Sequence, residues 1–144
     1  VSNFVLDASV AVKWFLSPKD EPLSDEALTL YKKYLHGEIR FVVPDLFWVE
    51  LGSAFWRAIR LGRFSKASAQ EAIASLMKCD FPTLSIAPLL ERAFHIATVF
   101  DRTVYDSLYV ALAVESEAQL ITADERLANA LAAHFPVKWL GAIA

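Results

Sequence analysis

Four acidic residues stand where an apolar chain has little ordinary use for them. Asp7 follows directly on Phe4-Val5-Leu6, a buried-strand pattern, and precedes a helical pattern marked by Val10, Trp14 and Phe15. Asp124 follows Gln119-Leu120-Ile121-Thr122-Ala123 in the same way. Asp106 lies between Tyr105 and Leu108 near the start of one apolar helix, and Glu50 between Val49 and Leu51 inside another. Each has a structural reading of its own. An Asp at a strand–helix junction caps the helix by accepting from a free backbone N–H, which suits Asp7 and Asp124. An acid in a first turn is favoured by the helix dipole, which suits Asp106. Glu50 is the hardest to explain, because buried Glu is rare unless paired. Arg57 is seven residues away, two turns along, whereas side-chain pairs favour three or four.

Carboxylates gathered in a low-dielectric cleft repel one another and take up protons unless a cation intervenes. His36, His95 and His134 lie in other segments, and Cys79 is isolated. An all-oxygen donor set selects a hard ion, Mg²⁺ or Mn²⁺, over Zn²⁺. Mg²⁺ at a few carboxylates keeps several waters and takes phosphate oxygens as further ligands. The chemistry that suits such a site is phosphodiester cleavage by metal-activated water. Two other readings compete. A phosphatase using Asp7 as nucleophile needs a second acid two residues on to protonate the leaving group; Ser9 stands there. A non-catalytic partner-binding module would leave the acids as helix caps.

The elements that must position these acids alternate. After the opening strand and helix, Ser17 to Pro22 reads as a Pro-bounded polar loop. Leu23 to Leu35 has helical spacing and ends before Gly37, and Phe41-Val42-Val43 reads as a strand closed by Pro44. Asp45 is expected to cap a helix from Leu46 to about Leu61, apolar on nearly every side in its first three turns and therefore buried. Ser68-Ala69-Gln70-Glu71 has the capping-box pattern for a further helix. Thr83 to Ile86 is a short strand candidate, Leu89 to Phe100 a helix opened by Pro88, and Thr103 to about Glu117 a second nearly all-apolar helix. Gln119 to Thr122 and Val137 to Leu140 read as strands around a helix from about Leu127 to Ala133. Short apolar strands alternating with helices point to an α/β fold with a mostly parallel, doubly covered sheet. Parallel sheets of that kind place ligands at the carboxyl ends of their strands, where Asp7 and Asp124 fall.

A chain of 144 residues fits one domain spanning 1–144. Its hydrophobic fraction is 56%, above the roughly 45–50% usual in soluble domains, so some apolar surface is expected to meet a partner. No apolar run approaches the ~20 residues of a membrane span, no basic-then-apolar leader opens the sequence, and a lone cysteine fits a reducing, cytoplasmic setting. The net charge is −3, from 17 acids and 14 bases. A protein that only coated phosphates would be basic, so a nucleic-acid ligand requires some acids to be committed to metal.

Leu6-Asp7-Ala8-Ser9-Val10, Pro44-Asp45-Leu46 leading to Glu50-Leu51-Gly52-Ser53-Ala54, Tyr105-Asp106-Ser107-Leu108-Tyr109-Val110-Ala111-Leu112-Ala113, and Thr122-Ala123-Asp124-Glu125-Arg126-Leu127 resemble the PIN domain in order and spacing. Within that family they are most similar to the VapC-type toxins of toxin–antitoxin pairs, over essentially the whole chain. The resemblance implies a three-layer α/β/α sandwich and a Mg²⁺- or Mn²⁺-dependent endoribonuclease. It implies Asp7, Glu50, Asp106 and Asp124 as the catalytic, metal-holding quartet, with the hydroxyls of Ser9 and Thr122 lining the site. A homodimer and a cognate VapB-like antitoxin are implied with it. The related flap-type DNA nucleases carry further acids and helical clamps, for which 144 residues leave little room. Arg57, Arg60 and Arg63, at three-residue spacing, and Lys13 are candidates for contact with RNA or an acidic partner, as against simple charge pairing with a helix C-terminus. The four tryptophans read as core or dimer contacts.

Overall fold

In a computed structural model, which describes residues 1–143, Phe4, Val5 and Leu6 are all buried although successive strand residues face opposite sides of a sheet. Leu120, Ile121 and Thr122 behave the same way. Both faces of the sheet are therefore covered, as the continuous apolar runs require. The strands are β1 (Ser2–Leu6), β2 (Ile39–Pro44), β3 (Thr83–Leu84), β4 (Gln119–Thr122) and β5 (Val137–Trp139). All pair in parallel, in the order β3-β2-β1-β4-β5. Parallel neighbours need crossovers, which the helices supply: α1 (Ala8–Ala11), α2 (Ser24–Leu35), α3 (Asp45–Arg60), α4 (Lys66–Lys78), α5 (Leu90–Phe100), α6 (Val104–Glu115) and α7 (Glu125–Leu131). The result is an α/β/α sandwich about a parallel sheet.

Chain order decides which ends meet. The winding reverses at β1, which lies between β2 and β4, so the β1/β4 boundary is the switch point where such sheets hold ligands. Helix α3 leaves the carboxyl end of β2. Helix α6 runs back to feed β4, so it must begin at that same edge of the sheet. Its centre, Ser107 through Ala113, is buried without interruption and packs across β1, β2 and β4.

Three local expectations are corrected. Helix α3 starts at Asp45, with Pro44 in the capping position and no side-chain cap; Asp45 is a first-turn acid. Helix α4 is capped three residues early, by Ser65, whose Oγ accepts from the Ser68 amide at 3.0 Å, so Ser68 lies inside the helix. Helix α3 is also not apolar because it is buried all round: Val49 is 67% and Trp56 57% exposed. The other tryptophans are structural. The Trp14 indole donates to Ala27 O at 2.8 Å, Trp48 to Thr83 Oγ1 at 3.1 Å, and the Trp139 ring lies on Gly141. A Cβ at position 141 would run into that ring from three of its atoms. Gly141→Ala is accordingly expected to displace the indole and lower stability by ~1–3 kcal/mol, the usual cost of overpacking. An unchanged melting temperature would show that Trp139 can move aside freely.

Candidate active site

The register of β1 against β4 sets Leu6 opposite Ile121, so Asp7 falls level with Thr122 and two residues before the level of Asp124. The Asp7 amide continues the ladder, donating to Ile121 O at 3.2 Å. Its carboxylate then takes two hydrogen bonds. Oδ1 accepts from the Ser9 amide at 3.2 Å, the cap of α1, and Oδ2 accepts from Thr122 Oγ1 at 2.8 Å. Thr122 Oγ1 in turn accepts from the Asp124 amide at 3.1 Å, and Ser9 Oγ accepts from the Ala123 amide at 3.2 Å. Two hydroxyls thus tie the end of β1 to the turn after β4, fixing Asp7 and Asp124 with respect to each other. Asp124 also caps α7, its Oδ1 accepting from the Leu127 amide at 3.2 Å.

Asp106 sits in the first turn of α6 beside the capping Thr103, whose hydroxyl accepts from the Asp106 amide at 3.0 Å. Glu50 lies just over one turn into α3. Asp7, Glu50, Asp106 and Asp124 all line one open cleft of about 400 Å³ at the carboxyl edge of the sheet. Asp7 is 8% exposed, Glu50 and Asp106 are half-buried, and Asp124 is exposed at the mouth. None of the four forms an ion pair among the described residues. In particular Glu50 makes no salt bridge to Arg57, although that charge does favour its ionised form.

The electrostatics record the crowding. Burial pushes the Asp7 carboxyl up to about 6; its bonds to Thr122 and Ser9 pull the other way, and the charges of Glu50 and Asp106 add to the rise. Burial also raises Glu50 and Asp106, the first further raised by Asp106 and the second by Asp124. Asp7, Glu50 and Asp106 each lie near enough to another acid to resist ionisation, the condition a bound cation relieves.

The candidate cations separate into different roles. Lys13 lies nearly buried on the cleft wall, its ammonium paired with Glu21 at 3.2 Å, which ties the Ser17–Pro22 loop to the rim. Arg57 lines the cleft and the adjoining groove of about 220 Å³, and Arg63 lines that groove with it. Arg60 turns outward, its guanidinium 5.1 Å from the centre of the Trp56 ring. Two residues were not singled out from sequence. Glu21 is a fifth acid at the rim, brought in only by the loop's return. Tyr109 is buried one turn after Asp106 on α6; its three-residue spacing from Asp106 was the only signal, and a tyrosine in an apolar helix reads first as core.

Among the described residues no three His, Cys, Asp or Glu side chains stand close enough together to hold a metal ion as they are. The donor set nevertheless fits an open metal site. Mg²⁺ typically retains water and uses one or two carboxylates, and this cleft offers only oxygen ligands, unpaired and mutually repelling. Fold and cleft together define an α/β/α protein with an acid cluster at the switch point of its sheet. The PIN domain family model matches residues 4–131, and the chain belongs to the PIN-domain family. A ribonuclease VapC3 of Pyrobaculum aerophilum is 29% identical over 130 residues, covering 88% of this chain and 93% of that protein. A crystal structure from the same organism superposes with a TM-score of 0.68 at 25% identity, over 90% of this chain and 79% of that one. A toxin–antitoxin complex from Klebsiella pneumoniae shares the fold, with a TM-score of 0.59 at 16% identity and 96% of each chain covered.

Proposed function

We propose that this chain is a single-domain, Mg²⁺- or Mn²⁺-dependent endoribonuclease, the toxin of a VapBC-type toxin–antitoxin pair, acting in the cytoplasm. The observation that carries the reading is the cleft: four carboxylates from four separate elements, none paired with a cation, the innermost held near neutrality by burial. Asp7, Glu50, Asp106 and Asp124 are the residues that would hold the metal. When bound, the ion offsets their charge and supplies the Lewis acidity that phosphodiester hydrolysis needs. The protein's own contribution is placement. Thr122 and the Ser9 amide fix the Asp7 carboxylate, Ser9 and Thr122 hold the Asp124 turn, and the half-buried Glu50 and Asp106 face it across the cleft. Arg57 on the wall, with Arg63 in the adjoining groove, offers positive charge along a path for the RNA backbone.

The relatives' names support the nuclease reading, and the excess apolar surface supports partners. Leu90, Phe94 and Val99 on α5, Val49 and Trp56 on α3 and Tyr105 on α6 are each more than half exposed. A second copy and an antitoxin would cover surface of this kind, and an antitoxin that inhibits by placing a basic side chain among the acids suits the charge. No helix among the described residues is long and apolar enough to cross a membrane.

The test is cleavage of labelled RNA by purified protein. Cleavage is expected to stop in EDTA, to return with Mg²⁺ or Mn²⁺, and to be lost in Asp106→Asn. Cleavage that persists without metal overturns the reading. Absence of both cleavage and Mn²⁺ binding would leave the partner-binding module that the exposed apolar faces also suit.

A further inference from the structure

Three buried side-chain polar atoms among the described residues have no hydrogen-bond partner: Ser107 Oγ, Trp139 Nε1 and the Tyr109 hydroxyl. The last stands apart by its surroundings. Tyr109 is 1% exposed and lies three residues beyond Asp106, on the same face of α6. Its oxygen lies within reach of the Glu50 carboxylate and the backbone N–H of Ala8, with Asp7 nearby, yet closes no well-formed hydrogen bond with any of them. A phenylalanine would fill the same space without burying an unsatisfied hydroxyl, so the hydroxyl burdens the resting protein. Such a group makes physical sense where a partner comes into place in another state of the site.

We propose that Tyr109 is a positioning residue for Glu50, its hydroxyl donating to the Glu50 carboxylate when the acid cluster is loaded with metal and holding that side chain towards the cleft. This rests on the metal-dependent nuclease reading above and adds a residue to it. Asp7 has Thr122 and Ser9, and Asp124 caps α7. The carboxylates of Asp106 and Glu50 accept no well-formed hydrogen bond among the described residues, and Asp106 sits on a short side chain in the first turn of α6, which leaves Glu50 the freer of the two. It is half-buried, sits on a long side chain and makes no ion pair, so some donor is needed to fix it. Tyr109 is that donor by position. Burial and the neighbouring carboxylates push its phenol well above the ordinary range, so its hydrogen is always present to be donated. Partners of this kind orient the groups that bind a metal, and their loss typically weakens metal affinity about 10- to 100-fold.

The test compares Tyr109→Phe with wild type in the full chain, by calorimetric titration with Mn²⁺, thermal melting of the metal-free protein, and RNA cleavage kinetics. Tyr109→Phe is expected to bind Mn²⁺ about 10-fold more weakly. Its kcat is expected to fall with KM for RNA unchanged, and its metal-free melting temperature to stay level or rise. Wild-type Mn²⁺ affinity in the variant overturns the role of Tyr109 and leaves the nuclease reading standing. A clearly lower melting temperature also overturns it, by showing that the hydroxyl serves the fold. A wild-type protein that binds no Mn²⁺ overturns the metal reading itself, and this role with it.

Discussion

Asp7→Asn is expected to abolish RNA cleavage and, at the same time, to make the metal-free protein more stable at neutral pH. The first effect follows from removing the charge of the innermost acid in the proposed metal-holding set. The second follows from linkage. Burial holds the Asp7 carboxyl at about 6, against 3.8 for the ordinary group, so the folded chain binds this proton more tightly than the unfolded one. Stability is then greatest where both states are protonated, below about pH 4, and falls as pH rises towards 6. Two pH units correspond to ~3 kcal/mol, an upper limit for the stability that ionised Asp7 removes at pH 7. Asn carries no charge at any pH, although its amide must turn Nδ2 to a Thr122 hydroxyl that previously donated. A net gain of ~1–3 kcal/mol at pH 7 remains, vanishing below about pH 4. Denaturant unfolding of wild type and variant at pH 4 and pH 7 reads it directly. Equal stability at both pH values would mean that the Asp7 carboxylate is solvated and that the cleft is not the low-dielectric site its burial indicates.

The same coupling bears on metal. A cation competes with the proton for Asp7, so metal affinity and activity are expected to fall together as pH drops through about 6. Groups that lie in an active site at a cost to folding are a common form of trade between stability and function. Here that cost has identifiable sources: a buried carboxylate, two half-buried ones beside it, and a tyrosine hydroxyl without a partner.

The strands and helices were legible because each uses one period cleanly. Phe4-Val5-Leu6 and Leu120-Ile121 are too short and too apolar for anything but buried strands, and α6 carries an apolar run that only a helix packed across three strands can hide. What periodicity did not show is where apolar surface is left open. Val49 and Trp56 follow the same pattern as the buried Leu51 and Phe55, because a face kept for a partner has the same composition as a face kept for the core. The acids were legible for a different reason: each interrupts an apolar stretch, and topology brings the interruptions to one edge of the sheet. Glu21 and the pairing of Lys13 with it were not, since a loop's return is a tertiary event with no local signal. Tyr109 was hidden by its own residue type, which a core accommodates readily. Thr122 is intermediate. Its hydroxyl at the end of a strand could be noted from sequence, but only the register of β1 against β4 shows that it lies between Asp7 and Asp124.

That position makes Thr122→Val the more informative counterpart of Asp7→Asn. Valine keeps the shape and the strand preference but removes the hydroxyl, which is wholly buried and does two things at once. It donates to Asp7 Oδ2 at 2.8 Å and accepts from the Asp124 amide at 3.1 Å. Losing it leaves a buried carboxylate short of a donor and a turn amide without its acceptor, an expected cost of ~1–3 kcal/mol for each group left unpaired. The bond from Thr122 is also the largest influence holding the Asp7 carboxyl down against burial. In Thr122→Val the carboxyl must therefore rise above 6, and the pH at which cleavage appears must move up with it. Thr122→Ser keeps the hydroxyl and is expected to leave the pH profile in place, with only a packing loss of a methyl group. Cleavage rates measured from pH 5 to 9 at one fixed, sub-saturating Mn²⁺ concentration for the three proteins separate the outcomes. A Val variant with lower stability but an unshifted profile would reduce Thr122 to a strand-end anchor. A shifted profile restored by Ser would tie the ionisation of Asp7, and with it the working pH of the site, to a single hydrogen bond between two neighbouring strands.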